Sequence, residues 1–390
     1  MRGAARLIVV LLVLGFLSGG VGLAADRRVG LSLDVTEKYN DNIFYTADDE
    51  IDDYITVVTG ELTLSRRSER SDAGLSALVR NSFYAEEHDL DGLDQYYAGH
   101  LTHALTTRFK AGVEASFARD TQPDRDIDAT GLVLGTNTRD SQHYGGSLEY
   151  GLSEISTAAL SYNYYREDYK DIEGQNYSRQ EGGLLLTHRL DKYFANTMGR
   201  LNLIYVKYDF EAMTIDYYAG TLGFLYQFSE LWNLAMDLGA RYTETSFDLP
   251  GGGEEKVDGW GGVGSLKAVF QGEYAATSLT LSHDVGAASG RDGSVERSSA
   301  VADMNYRFAE KIRCGVLAGY FLNRTDAGDL SRTMIDERTL RLKPYLRWGL
   351  LDDLVLELSY QYSGLKDEVD DQTTENHVAM LRLTYNVFDF

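Results

Sequence analysis

The chain has 390 residues, a net charge of −23 and a mean hydropathy of −0.30. The negative charge excludes nucleic acid as a partner, because phosphates repel an acidic surface. One cysteine, Cys314, excludes an intramolecular disulfide and any cysteine-based metal site.

The beginning of the chain indicates export. Arg2 and Arg6 precede an apolar run over residues 7–17, and small residues follow as far as Ala24 and Ala25. The run is shorter than the about 20 residues that a membrane-spanning helix needs. Its basic flank and small-residue exit are typical of a cleaved secretory signal. We therefore predict a signal peptide at 1–25 and one mature domain at 26–390.

The mature sequence alternates between apolar and polar residues, which is the period of a half-buried strand. In residues 232–242 the even positions are apolar and the odd positions are mostly polar. The composition agrees. Tyr is abundant, with 27 residues, and suits strands and membrane interfaces, whereas Pro, which interrupts the hydrogen-bond ladders of a sheet, is scarce, with 3 residues. We predict eighteen strands, at 29–40, 53–65, 72–85, 94–105, 107–118, 141–152, 156–166, 178–189, 196–208, 214–228, 231–244, 257–271, 274–284, 297–308, 311–323, 336–349, 352–363 and 376–390.

The connections alternate between short turns and long polar loops. Short turns fall near 105–108, 151–155, 230–231, 272–274, 309–311 and 349–352. Long loops fall at 41–52, 86–93, 120–140, 167–176, 246–257, 286–295, 325–333 and 364–374. Short periplasmic turns and long extracellular loops are the arrangement of an outer-membrane barrel, whereas a soluble β-sandwich has no reason for it. The sequence therefore predicts an all-β, transmembrane antiparallel β-barrel of about eighteen strands with both termini periplasmic.

Aromatic residues support a location in the outer membrane of a Gram-negative bacterium. They gather near the short turns, which is typical of an interfacial girdle facing lipid and lipopolysaccharide. The terminal Phe390 resembles the signal that the barrel assembly machinery reads, although Phe388 and Phe390 fall on the polar face of the last predicted strand. The register therefore either shifts near the end, or the last residues overhang. The girdle candidates are Tyr193, Phe194, Tyr226, Phe228, Trp232, Phe308 and Trp348.

Catalytic motifs are missing from the sequence. It has no Gly-x-Ser-x-Gly elbow, no His-Glu-x-x-His motif and no phosphate-binding loop. The acidic clusters at 48–53 and 124–128 indicate a solvated surface that shares divalent ions with lipopolysaccharide, since the second lacks a calcium loop's terminal Glu. We predict no enzymatic activity, no cofactor and no metal site.

If the apolar faces contact lipid, charged side chains of both signs line the lumen. Such a wall holds water and passes polar solutes. Arg341, Lys343 and Arg347 form either an anion-contact ladder or cross-strand pairs with Asp303 and Glu357. Loop 120–140 is the longest candidate for a segment that narrows the lumen. The ten pore-lining candidates are Arg80, Glu114, Glu149, Asp237, Arg241, Asp303, Arg341, Lys343, Arg347 and Glu357.

Tyr39, Asp41, Asn42, Ile43 and Phe44, followed by acids at 48–53, form a motif soon after the signal. Here the chain resembles the outer-membrane β-barrel porin family associated with exopolysaccharide (exosortase-type) loci. The resemblance implies that a surface polysaccharide is the transported solute and that a periplasmic polysaccharide-export protein is a partner. From the residues themselves, Asn and Asp favour a turn, and the two apolar residues anchor the first loop on the barrel rim.

Three functional hypotheses remain. The leading one is a conduit in exopolysaccharide export. The second is a general or substrate-selective diffusion porin, which conducts without a partner. The third is a structural or adhesive barrel that acts through its acidic loops and does not conduct.

Overall fold

The computed structural model describes residues 26–121, 138–170, 176–249, 251–288, 293–326 and 328–389. One 3₁₀ turn, His88–Leu90, lies between Tyr84 and Gly92. Among these residues no helix is long and apolar enough to cross a membrane. The described residues form eighteen strands: β1 (Asp26–Asn40), β2 (Asp53–Arg67), β3 (Ser71–Tyr84), β4 (Gly92–Ala104), β5 (Phe109–Asp120), β6 (Arg139–Gly151), β7 (Ser156–Tyr169), β8 (Tyr177–Arg189), β9 (Thr197–Phe210), β10 (Met213–Gln227), β11 (Trp232–Asp248), β12 (Glu254–Gln271), β13 (Ala275–Ala287), β14 (Ser294–Ala309), β15 (Ile312–Thr325), β16 (Ile335–Gly349), β17 (Leu354–Asp367) and β18 (Gln372–Asp389).

The strands close into one antiparallel barrel. Each strand pairs with its neighbours in the sequence, and β1 also pairs with β18 along Gly30–Asn40. Closure pairs the first strand with the last, and along these pairings the backbone satisfies its own hydrogen bonds, as a membrane requires. The predicted number and order of strands are confirmed.

Several strands run further than predicted at their extracellular ends. β11 continues to Asp248 and β12 begins at Glu254, so the predicted loop 246–257 is much shorter. β17 ends at Asp367 and β18 begins at Gln372, which shortens the predicted loop 364–374 in the same way. Above the membrane both faces of a strand are polar, so the alternation ends before the hydrogen bonding does.

The last strand contains a bulge. The pairing of β1 with β18 shifts between Leu31 and Ser32, so that Leu31 lies opposite Phe388 while Ser32 lies opposite Asn386. An extra residue in one strand reverses the side-chain direction beyond it. Phe388 therefore falls opposite a lipid-facing residue. Of the two predicted alternatives, a register shift and an overhang, the structure shows the register shift. Phe390 lies outside the described residues.

Two rings of aromatic side chains bound the lipid-facing surface. Near the periplasmic turns, Trp232 packs beside Phe270 with ring centroids 5.0 Å apart. Near the extracellular ends, Tyr242 packs beside Trp260 at 5.3 Å. Trp232 and Tyr242 are ten residues apart on one strand, which is about 26 Å at about 3.4 Å rise per residue and about 40° tilt. This height matches the apolar band of an outer-membrane barrel, about 25 Å.

Candidate functional site: the barrel lumen

All ten predicted pore-lining residues point to the interior of the barrel. On β16 the exposed side chains of Leu340, Leu342 and Leu346 face outward, and the alternate positions Arg341 and Lys343 face inward. Residues that pair directly across two strands share a face, so the strand register assigns the inner and outer faces of every other strand in turn. The other eight candidates lie on the same inner face as these two.

The lumen holds enough space for water around part of this wall. The inward-facing side chains of Lys110, Glu114 and Arg347 are exposed by 52%, 55% and 48%. A charged group that points into a barrel and still meets solvent requires a water-filled interior. An eighteen-stranded circumference agrees, since side chains already fill a barrel of about eight strands.

Cross-strand partners hold the basic residues of β16. The guanidinium of Arg347 donates to Glu357 Oε2 at 2.6 and 3.0 Å, and that of Arg341 donates to Gln361 Oε1 at 2.6 Å. Arg341 is only 5% exposed. Of the two predicted alternatives, the geometry shows the cross-strand pair at Arg347 and Glu357, so this strand presents less free positive charge than its sequence indicates.

Arg241 faces inward but does not line open space. It is 3% exposed, and its guanidinium pairs with Glu296 of β14. The role predicted for it, contact with a solute, is therefore corrected to a buried contact between parts of the barrel. Asp237, four residues away on the same face, is paired with Arg200 of β9.

The upper ends of β13 and β14 curl into the lumen. Tyr217 of β10 donates a hydrogen bond to Asp284 of β13 at 2.5 Å, although two strands separate them in the wall. Glu296 belongs to the outward-facing set of β14, yet it contacts Arg241 on the inner face of β11. In a regular barrel neither contact is possible, so this edge of the sheet lies inside the barrel.

The β15–β16 loop, residues 326–334, extends this cover across the lumen. Leu330 at its tip is 1% exposed and packs in an apolar cluster with inward-facing residues of β9–β11, among them Met213 and Phe247. Arg332 donates to the carbonyl oxygens of Ala212 at 2.9 Å and Asp248 at 2.7 Å, on the part of the rim next to β10 and β11. This loop narrows the described lumen, whereas residues 122–137 of the predicted candidate loop lie outside the described residues.

One carboxyl group in the β15–β16 loop is affected by its position. Burial raises the pKa of Asp329 above its ordinary value, and the opposing attraction of nearby Arg241 is smaller. Asp326 raises the pKa further by repulsion. The protonated form of Asp329 is therefore favoured while the loop stays inside the barrel.

The family motif fastens the first loop to the closing pair of strands. Asn42 is fully buried, and its amide donates to the carbonyl oxygens of Thr46 at 2.7 Å and Glu375 at 3.0 Å. Asn376 of β18 donates to Asn40 Oδ1 and to the backbone oxygen of Asn42. The residues that resemble the family thus connect the start of the barrel to its end.

The apolar residues that follow point into the barrel. Ile43 is 3% exposed and packs on Ile55 and Val57 of β2, with Phe44 beside them. The predicted anchor on the rim is therefore an anchor against the inner wall, and the first loop covers the lumen next to β2. This placement supports a structural role for the motif.

A recess of about 430 Å³ opens in the inner wall between β2 and β6. His100, Glu114 and His143 line it together with Ser76 and Ser116. His143 stacks on the ring of Tyr165 with centroids 4.2 Å apart, and the guanidinium of Arg179 covers the same ring at 4.4 Å. The hydroxyl, imidazole and carboxylate groups that line the recess suit a small polar solute.

The described residues contain no group of His, Cys, Asp or Glu that could hold a metal ion. Tyr165, Tyr208 and Tyr345 also face inward, but Tyr208 is 3% exposed and lies under the inner cover. The predicted signal peptide at 1–25 lies outside the part of the chain that the structure describes.

No family model and no curated protein matches this sequence. Solved structures match it in fold. OccAB4 of Acinetobacter baumannii has a TM-score of 0.50 and 10% identity, covering 94% of this chain and 98% of its own. The outer membrane protein OpdK of Pseudomonas aeruginosa has 0.47 and 12%, covering 94% and 99%. OccK2 (OpdF) of the same organism, solved with glucuronate, has 0.48 and 10%, covering 93% and 99%.

At such low identity the likeness concerns the fold. The match to OccAB4, the closed barrel and the two aromatic rings confirm the predicted fold class and the predicted place in the outer membrane. What the likeness to OccAB4 shows is a shared barrel architecture over nearly the whole length of both chains.

Sequence reasoning missed the inner cover made by Val285, Leu330 and Arg332. One signal for it exists in the sequence. The stretch from Val285 to Ala288 is apolar on both faces, at a height where a strand is expected to become polar. Apolar residues on both faces indicate a strand end that is buried on both sides.

Proposed function

We propose that this protein is an outer-membrane channel for small polar solutes. The observation that carries the proposal is the solvent exposure of charged side chains that point inward, Lys110, Glu114 and Arg347. Lys110 and Arg347 lie near the periplasmic mouth and Glu114 lies four residues further in than Lys110, so water reaches into the barrel as far as Glu114. The recess beside His100 and His143 gives a solute a polar place to rest on its way.

The size of the solute follows from the inner cover. The β15–β16 loop and the first loop both occupy the extracellular part of the lumen, where Leu330 and Ile43 are buried. The open part of the described lumen lies on the periplasmic side of these loops, beside Lys110, Glu114 and Arg347. A passage bounded by two loops favours small solutes over a polymer.

The test is conductance of the purified protein in a planar lipid bilayer without any partner. We expect discrete conductance steps and a change in ion selectivity when Glu114 is replaced by Gln, because the carboxylate lies in the water-filled part. The matched control is Glu37→Gln, since Glu37 lies on the outer face of β1 beside Thr56. A protein that inserts as a folded barrel and never conducts contradicts the proposal and favours the structural or adhesive alternative.

Export of a polysaccharide remains the second candidate, and the resemblance at Tyr39–Phe44 supports it. It requires the inner cover to move aside, because a polymer needs a wider passage than a small solute. The test is the surface carbohydrate of a deletion strain, with the gene restored in trans. Carbohydrate that falls and returns on complementation favours export, and an unchanged level contradicts it.

A further inference from the structure

Among the described residues, the barrel wall is incomplete between β12 and β13. The two strands pair from Gln271–Ala276 up to Gly264–His283 and no further. Above that point β12 continues to Glu254 and β13 to Ala287. β12 keeps its pairing with β11 over this whole length, so it stays in the wall, while the end of β13 has curled inward. A wedge therefore separates the upper parts of the two strands.

The wedge reaches down into the lipid-facing belt. Trp260 belongs to the extracellular aromatic ring, and Gly264, where the pairing ends, lies four residues closer to the periplasm. Four residues of a tilted strand span about 10 Å. The free edge of β12 from Gly264 up to Trp260 is therefore level with the acyl chains of the outer leaflet.

The surfaces beside the wedge are apolar. Val257 and Val263 lie on the inner face of β12 and pack against the apolar cluster that contains Val285. On the outer face, Trp260 is 78% exposed, and a Cβ at Gly262 would meet no atom within 4 Å. The apolar belt of the barrel thus continues through the gap to an apolar surface inside.

An ion pair lies at the upper end of the wedge. Arg241 pairs with Glu296, whose side chain is 42% exposed, and Arg241 lies opposite Gly261, next to the aromatic ring. Charged groups belong at this height, where the lipid head groups begin. Below it only apolar side chains and glycines border the edge of β12.

We propose that this gap is a lateral opening that admits the acyl chain of an outer-leaflet lipid into the barrel. The occupant follows from continuity with the lipid-facing belt and from the apolar side chains that border the wedge, Trp260 and Val263 on β12 and Val285 on β13. The opening gives an amphiphilic molecule a route between the lumen and the outer leaflet that avoids the extracellular mouth. It is independent of whether polar solutes pass along the lumen.

The test uses lipids that carry a fluorescence quencher on the acyl chain. In the background Cys314→Ser, single cysteines are introduced by Val263→Cys, Ser265→Cys and Leu266→Cys and are labelled with a small fluorophore. Val263 and Ser265 share the inner face of β12, but only Ser265 has a paired partner, Ser282 on β13. Leu266 lies on the outer face and is the lipid-exposed reference. Heat-dependent gel mobility verifies that each labelled barrel is folded.

We expect the label at 263 to lose nearly as much fluorescence as the label at 266, and the label at 265 to lose severalfold less. Equal and small losses at 263 and 265 would overturn the proposal, because the wall would then be closed to lipid, whether by its own strands or by a strand of another chain. Quenching at 263 by aqueous iodide but not by the lipid quencher would also overturn it, since the wedge would then be filled with water.

Discussion

Removing Leu330 from its cluster should open the lumen. Leu330 is 1% exposed among Met213, Phe247 and their neighbours. Truncation of a buried Leu to Ala costs about 2–5 kcal/mol. If about 2 kcal/mol of this cost applies only when the β15–β16 loop is docked, Leu330→Ala raises the ratio of undocked to docked loop about thirtyfold. We expect larger or more frequent conductance steps in a planar bilayer.

The control for this change lies in the same loop. Met334 is 51% exposed, so Met334→Ala shortens a side chain of similar size without removing a buried contact. The pairing of β15 with β16 extends to Thr325 and Ile335, so the barrel itself should keep its stability in a heat-dependent mobility assay. If Leu330→Ala and Met334→Ala both conduct as the wild type does, the loop does not limit the passage, and the reasoning from its burial is wrong.

Three further changes test other parts of the lumen. Arg347→Gln leaves the carboxylate of Glu357 without its ion pair, so reversal potentials should show a shift in selectivity toward cations. Glu357→Gln should shift the selectivity toward anions. No shift in either variant would mean that this pair lies off the conducting path. Asn42→Ala removes two donated hydrogen bonds inside the barrel and should lower the free energy of unfolding by about 1–3 kcal/mol. The barrel should then lose its folded gel mobility at a lower temperature. Asp48→Ala in the same loop is the control and should leave that temperature unchanged. Because the pKa of Asp329 is raised when the loop is docked, docking is most favourable below the ordinary carboxyl pKa of 3.8 and weakens as the pH rises through the raised value. Channel opening should therefore increase over that pH range. Asp329→Asn should remove this dependence on pH.

The alternation of apolar and polar residues, repeated in many short segments, was sufficient to predict the barrel. Each strand carries its own pattern of apolar and polar residues, and the pattern in 232–242 depends on no other part of the chain. The turn chemistry between strands is equally local. Eighteen strands, their order and the inward direction of all ten pore-lining candidates therefore followed from the sequence, with errors mainly where strands extend beyond the membrane.

The partners of the inward-facing charges could be predicted only in part. Arg347 and Glu357 lie on adjacent strands joined by a short turn, and their pairing follows from the register. The contact between Arg241 and Glu296 does not, because β11 and β14 are not neighbours in the barrel. The contact between Arg241 and Glu296 forms because the upper end of β13 separates from β12 and bends inward. No local sequence pattern predicts how far a strand bends.

The sequence by itself determined what is repeated and local: an antiparallel barrel, a lipid-facing belt and a charged interior. Only the tertiary structure decided which part of that interior is open. Leu330 reaches Met213 across the lumen, and Asn42 joins Glu375 and Asn376 at the opposite end of the chain. These contacts join residues that are distant in sequence, and their energy comes from the burial of surfaces that meet only after the barrel has closed.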